Sequence, residues 1–149
     1  MKIPSHKLIL SIGILFLTGF AMQVNAQPKP WTKGHVFIIS MKKILPGQSE
    51  AYVSDLKNNY KLIYDEAIKE GLLISYRMFM GQSSTSNDFN FMVLYEYADA
   101  NSAYGNDDKW GAIRQKVTTT DAAFQAVETL RTTQRIILGE KTMDEIFFK

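Results

Sequence analysis

HVFIISMKKILPGQSEAYVSDLKNNYKLIYDEAIKEG, residues 35–71, changes its hydrophobic period once, and that change decides the fold class. Its first ten residues, His35 to Ile44, are β-branched and aromatic and read as a strand. Pro46 and Gly47 interrupt it. From Ser49, placed to cap, Val53, Leu56, Tyr60, Ile63 and Ala67 recur at steps of three and four. That spacing gives one apolar face of a helix running to about Glu70. Gly71 then stands where a helix end calls for a left-handed residue.

Downstream, residues 72–80 (LLISYRMFM) and 89–97 (FNFMVLYEY) read as two strands joined by the polar turn 81–88. Asp99 or Asn101 caps a short helix. Residues 109–117 form another, with Trp110, Ile113 and Val117 aligned, and residues 121–131 a third, with Phe124, Val127 and Leu130 as its stripe. Gln134 to Leu138 is the last strand, closed by Gly139. The tail ends in Ile146-Phe147-Phe148, too apolar to hang free, and is expected to dock. The order is β-α-β-β-α-β, an α+β domain of the ferredoxin-like kind with an antiparallel sheet.

Upstream of this unit, residues 1–26 have the parts of a cleaved export signal. Lys2 and Lys7 precede an uncharged apolar run, Leu8 to Phe20, and Val24 and Ala26 put small residues before a cut at Gln27. Gln23 and Asn25 end the run too early for a spanning helix. The mature chain is expected in the periplasm or the medium, with no membrane attachment once the signal is removed. Residues 27–34 read as an extended, partly mobile leader, and 35–149 as a single domain with a C-terminal tail.

Lys2 and Lys7 leave with the signal, so the mature chain balances 15 basic against 15 acidic residues. That neutrality offers no footprint for nucleic acid or an anionic membrane. There is no cysteine, which removes disulfides, a thiol nucleophile and cysteine metal ligands. A single mature histidine, His35, does not make a zinc site. Asp107 and Asp108 are adjacent carboxylates on an expected loop and read as solvated rather than metal-binding. No metal and no cofactor are expected.

Both faces of the strands are apolar. Phe89, Phe91, Val93, Tyr95 and Tyr97 alternate with Met92 and Leu94, and Phe37, Ile39 and Met41 lie opposite Val36 and Ile38. A sheet with helices on one side and water on the other alternates apolar with polar. Something therefore covers the second face: the same sheet of a second subunit, or the C-terminal tail.

The strand 35–44, the turn Leu45-Pro46-Gly47-Gln48, the helix from Ser49 and the hairpin ending Glu96-Tyr97-Ala98-Asp99-Ala100 together resemble the dimeric α+β barrel superfamily. That group includes antibiotic-biosynthesis-monooxygenase-like domains, and the resemblance covers roughly residues 35–139. It implies a homodimer whose sheets face each other, with pockets between each sheet and its helices. It also implies a choice of activities, among them cofactor-independent oxidation of small organics and haem degradation. The haem-degrading members share an Asn, Trp and His set that this chain does not reproduce.

For the site, Arg77 lies mid-strand among apolar residues, so it reaches an edge, pairs with a carboxylate such as Glu96, or receives an anionic ligand. His35 is the candidate general base, weighed against simple exposure. Tyr60, Tyr95 and Trp110 are candidates to line an aromatic pocket, weighed against core packing. The function expected is binding of a small apolar or aromatic molecule, with monooxygenase-like chemistry on it left open. The alternative is a non-catalytic envelope interaction or scaffold protein.

Overall fold

The computed structural model describes residues 28–117 and 120–149. The expected export signal, residues 1–26, and its expected cut before Gln27 lie outside the described residues. Strand β1 is Trp31–Ile44, and helix α1, Ser49–Asp55, passes through a π-helical turn, Leu56–Tyr60, into α2, Lys61–Lys69. Strands β2, Ser75–Met80, and β3, Phe91–Tyr97, form the hairpin. Helices α3, Ala100–Ala103, α4, Asp107–Val117, and α5, Asp121–Thr132, precede β4, Arg135–Phe148. The sheet is antiparallel in the order β2-β3-β1-β4. With its helices this is the α+β, ferredoxin-like split βαβ arrangement. Among the described residues no helix is long and apolar enough to cross a membrane.

The π turn corrects the expected helix face. It inserts an extra residue into the helical pitch, so the residues upstream are rotated out of the phase that a continuous helix predicts. Tyr52 takes the buried position, while Val53 is 41% exposed. Leu56, Ile63 and Ala67 are buried as expected, and Tyr64 joins them. Gly71 has φ +70, the left-handed conformation that closes the helix.

Two edges of the sheet also differ from expectation. The leader is in part strand: β1 begins at Trp31, and Trp31, Thr32 and Lys33 pair with Phe148, Phe147 and Ile146. The last strand does not stop at Gly139. Through a register shift there it continues to Phe148 as the outer edge of the sheet. The apolar tail therefore docks by backbone pairing. Gly34 lies at a second register shift, where an added Cβ would run into the side chains of Glu145 and Phe147. Asp107 and Asp108 occupy the first turn of α4 rather than a loop, where their charge suits the helix dipole.

The interior is split. One cluster joins Val36, Ile63, Tyr64, Ala67, Leu72, Leu73, Tyr97 and Ile113; the other joins Ile44, Tyr52, Leu56, Phe91 and Val93. Tyr60, Met78 and Tyr95 pack against both. These three side chains mark the seam between helices and sheet.

On the opposite sheet face the register aligns Phe37 with Glu96, Ile39 with Leu94 and Met41 with Met92, and Phe79 with Met92 in turn. β4 runs beside β1 rather than across this face, so the tail does not cover it.

Candidate functional site

The seam is lined by tyrosine. Tyr64 packs against Tyr60, Tyr76 and Tyr95 with ring centroids 5.3, 4.9 and 5.3 Å away, and its hydroxyl shares a 2.7 Å hydrogen bond with that of Tyr95. Burial, first of all, raises the pKa of Tyr60, Tyr64 and Tyr95. Their hydroxyls stay protonated at neutral pH and act as hydrogen-bond groups rather than bases.

From the seam a groove opens between the first helix and the edge strand β2. It measures about 310 Å³ and is lined by Val53, Leu56, Tyr76, Met78, Met80 and Phe91, with Lys57 and Lys61 at its rim. The volume falls at the lower end of ligand-sized pockets. The π turn contributes Leu56 and Lys57, and the edge position of β2 leaves Met80 63% exposed. Lys61 is turned to Asp65, which its hydrogen bond holds below the usual carboxylate range.

On the other side of Tyr60 lies a buried ionic network. Arg131, 1% exposed at the end of α5, pairs through Nε with Asp55 and through Nη1 with Glu128 at 2.7 Å. Its guanidinium lies 3.7 Å over the Tyr60 ring, within cation–π range. The Tyr60 hydroxyl donates to Glu128, and Arg135 Nη2 reaches the same carboxylate at 3.4 Å. Burial works to raise the Glu128 pKa, but the bonds from Tyr60 and Arg131 and the charges of Arg131 and Arg135 outweigh it and hold the group ionised. Lys42 is also buried on this side, and burial followed by the nearby Arg135 charge pulls its pKa down to about 8.

Of the residues singled out from sequence, Tyr60 and Tyr95 meet at the seam. Trp110, on α4, packs partly buried at the rim of the first cluster. Arg77 is elsewhere: it is exposed on the edge strand β2 and on the opposite sheet face, in register with Leu94. Of the placements open to it, the edge is the one adopted. Glu96 bonds instead to Ser75 and to His35 Nδ1, the latter at 2.7 Å, and these two bonds lower its pKa in that order. His35 is 45% exposed and likewise outside the groove. Among the described residues no cluster of three or more His, Asp or Glu converges as a metal site.

Sequence reading missed Asp55, Glu128, Arg131, Arg135 and Lys42. A signal existed for one of them: period two puts Lys42 on the face of Ile38 and Ile44. Glu128 and Arg131 share a helix face at i,i+3, which by itself reads as an ordinary surface pair.

No family model matches the chain, and no curated protein matches it significantly. Among solved structures it is similar to HapK from Hahella chejuensis, at 12% identity over 74% of this chain and 91% of that one, with a TM-score of 0.42. It is also similar to two proteins from uncultured marine organisms, each described as a dimeric ferredoxin-like protein. One matches at 13% identity over 78% of this chain and 96% of that one, the other at 9% over 79% and 90%, both with a TM-score of 0.45. The fold assignment rests on the chain's own strand order.

Proposed function

We propose that this chain is an exported small-molecule-binding protein that works as a homodimeric α+β barrel and holds a mainly apolar organic molecule in the Met78 groove. The observation that carries this reading is the groove itself, which runs from the split in the core to the surface. A single packed core stabilises a domain of this size better than two clusters with a seam between them. A seam that opens into a ligand-sized, apolar concavity is the ordinary form of a binding site. The Tyr76 hydroxyl supplies a fixed polar group, and the lysines at the rim favour a ligand with a negative or polar end.

The test is recovery of the ligand. Mature protein purified from the exported fraction is denatured, and the released small molecules are identified by mass spectrometry, beside a Met78→Trp variant whose indole fills the groove. The expected result is an organic molecule near equimolar with the protein, absent from the variant, with both proteins giving the same far-UV circular dichroism. An empty wild-type protein, or equal retention by the variant, contradicts the groove as the site.

Binding is preferred to catalysis because the hydroxyl that lines the groove, that of Tyr76, is held protonated by burial. The His35–Glu96 pair, the candidate base from sequence with its carboxylate partner, lies across the sheet from the groove. An envelope scaffold role becomes the better reading if the protein proves to carry no ligand.

A further inference from the structure

We infer that Tyr60, Arg131 and Arg135 form a receptor for a small organic carboxylate, and that the Glu128 side chain is its resident occupant. None of these residues lines the Met78 groove, so this site stands or falls independently of the groove.

Glu128 is held the way a bound carboxylate is held. One oxygen accepts from the Tyr60 hydroxyl and from Arg131 Nη1, and the other accepts from Arg135 Nη2. The donors come from the π turn, the end of α5 and the start of β4. Two guanidiniums and a hydroxyl on one carboxylate is the arrangement expected of charge-assisted carboxylate recognition.

The fit is incomplete. Tethered to α5, Glu128 reaches Arg135 only at 3.4 Å. Arg131 Nη2 and Arg135 Nε are buried and have no hydrogen-bond partner among the described residues. Buried donors left unserved are rare in native proteins and usually have an explanation. An untethered carboxylate can centre itself between the two guanidiniums in a way that a side chain fixed at one helix position cannot.

Glu128 also has somewhere to go. Its side chain is 30% exposed, whereas those of Arg131 and Arg135 are 1% and 10% exposed. A change of rotamer carries Glu128 into solvent while Arg131 stays anchored by Asp55. Its departure leaves Arg131, Arg135 and Lys42 balanced only by Asp55 and Glu140, an excess of positive charge that favours an incoming anion. Tyr60, whose hydroxyl is one of the donors, stacks on Phe124 with ring centroids 6.3 Å apart, so an aromatic surface adjoins the donors and suits a ligand with a flat apolar body. The class indicated is an aromatic or similarly compact monocarboxylate, for which benzoate serves as probe.

The experiment titrates benzoate into the mature protein by calorimetry, with melting temperature as a second readout, for the wild type, Glu128→Ala and Arg135→Gln. Removing the internal competitor is expected to tighten benzoate binding by about tenfold over the wild type. Benzoate should raise the melting temperature of Glu128→Ala, and Arg135→Gln should lose most of the binding. Inorganic phosphate at equal ionic strength should give no comparable gain. If Glu128→Ala does not fold, Glu128→Gln replaces it, since its neutral amide binds guanidinium more weakly and should show the same direction of change. No gain on removing the Glu128 charge, or binding unaffected by Arg135→Gln, overturns the proposal. Equal stabilisation by phosphate overturns the assignment to carboxylates.

Discussion

At Lys42 the sheet carries a charge that its surroundings resist. Burial lowers its pKa from 10.5 to about 8, so the unfolded chain holds the proton more tightly than the folded one. Below about pH 8 the lysine is charged in both states and the full burial cost is present. As pH rises above 8 the folded chain sheds the proton first, and stability rises with it. Above about pH 10 the buried tyrosines ionise more readily in the unfolded chain and reverse the trend. Lys42→Met is therefore expected to be more stable than wild type at neutral pH, by on the order of 2 kcal/mol, in urea denaturation. That advantage should shrink towards pH 10; an advantage that does not change with pH contradicts the burial account. Arg131→Ala should act in the opposite sense, destabilising by roughly 3–5 kcal/mol because Asp55 and Glu128 lose their buried partner. That Tyr60 and Tyr95 pack between helix and sheet was legible because aromatics on a helix-facing stripe meet wherever helix and sheet pack. Arg131 was not, because its partner Asp55 is 76 residues away in sequence. The placement of Arg77 stayed open for a related reason: a charge among apolar residues looks buried until the strand order puts its strand at the edge.

The π turn governs what the first helix presents. By adding a residue to the pitch it lets Tyr52 and Leu56 face one cluster and Ile63, Tyr64 and Ala67 the other, with Asp55 and Tyr60 aimed at α5. Deleting Asn58, an exposed residue of the turn, should restore a regular α-helix and rotate the upstream half by about one residue, roughly 100°. The expected outcome is preserved helical circular dichroism with stability lowered by at least about 3 kcal/mol, through loss of the Asp55–Arg131 pair. Unchanged stability would mean that the turn does not set the aim of these side chains. Element order was readable because period, Pro-Gly breaks and the Gly71 stop agree locally. The length of β4 was not: Gly139 reads as a strand end, and Glu140, Lys141, Asp144 and Glu145 obscure the alternation. Pairing with β1, from Ser40 back to Trp31, keeps the tail in the sheet, and that pairing spans almost the whole domain.

For the whole molecule, the sheet face away from the helices is the surface on which the proposed dimer rests. Phe37, Ile39, Met41, Phe79, Met92 and Leu94 alternate onto it, and β4 does not cross it. An apolar face is self-complementary under a two-fold axis, which is what an isologous dimer needs. Ile39→Lys places a charge at its centre and should weaken association by about 2 kcal/mol or more in sedimentation equilibrium, while the subunit stays folded. This two-faced pattern was legible in sequence because alternation fails on β1 and β3; the tail as an alternative cover was excluded only by the strand order. The central claim, an exported dimer that carries a small apolar ligand, is tested most directly by native mass spectrometry of the mature protein from the exported fraction. The expected spectrum shows two chains beginning near Gln27 with an added small-molecule mass. Bare monomers would contradict both the barrel and the binding function.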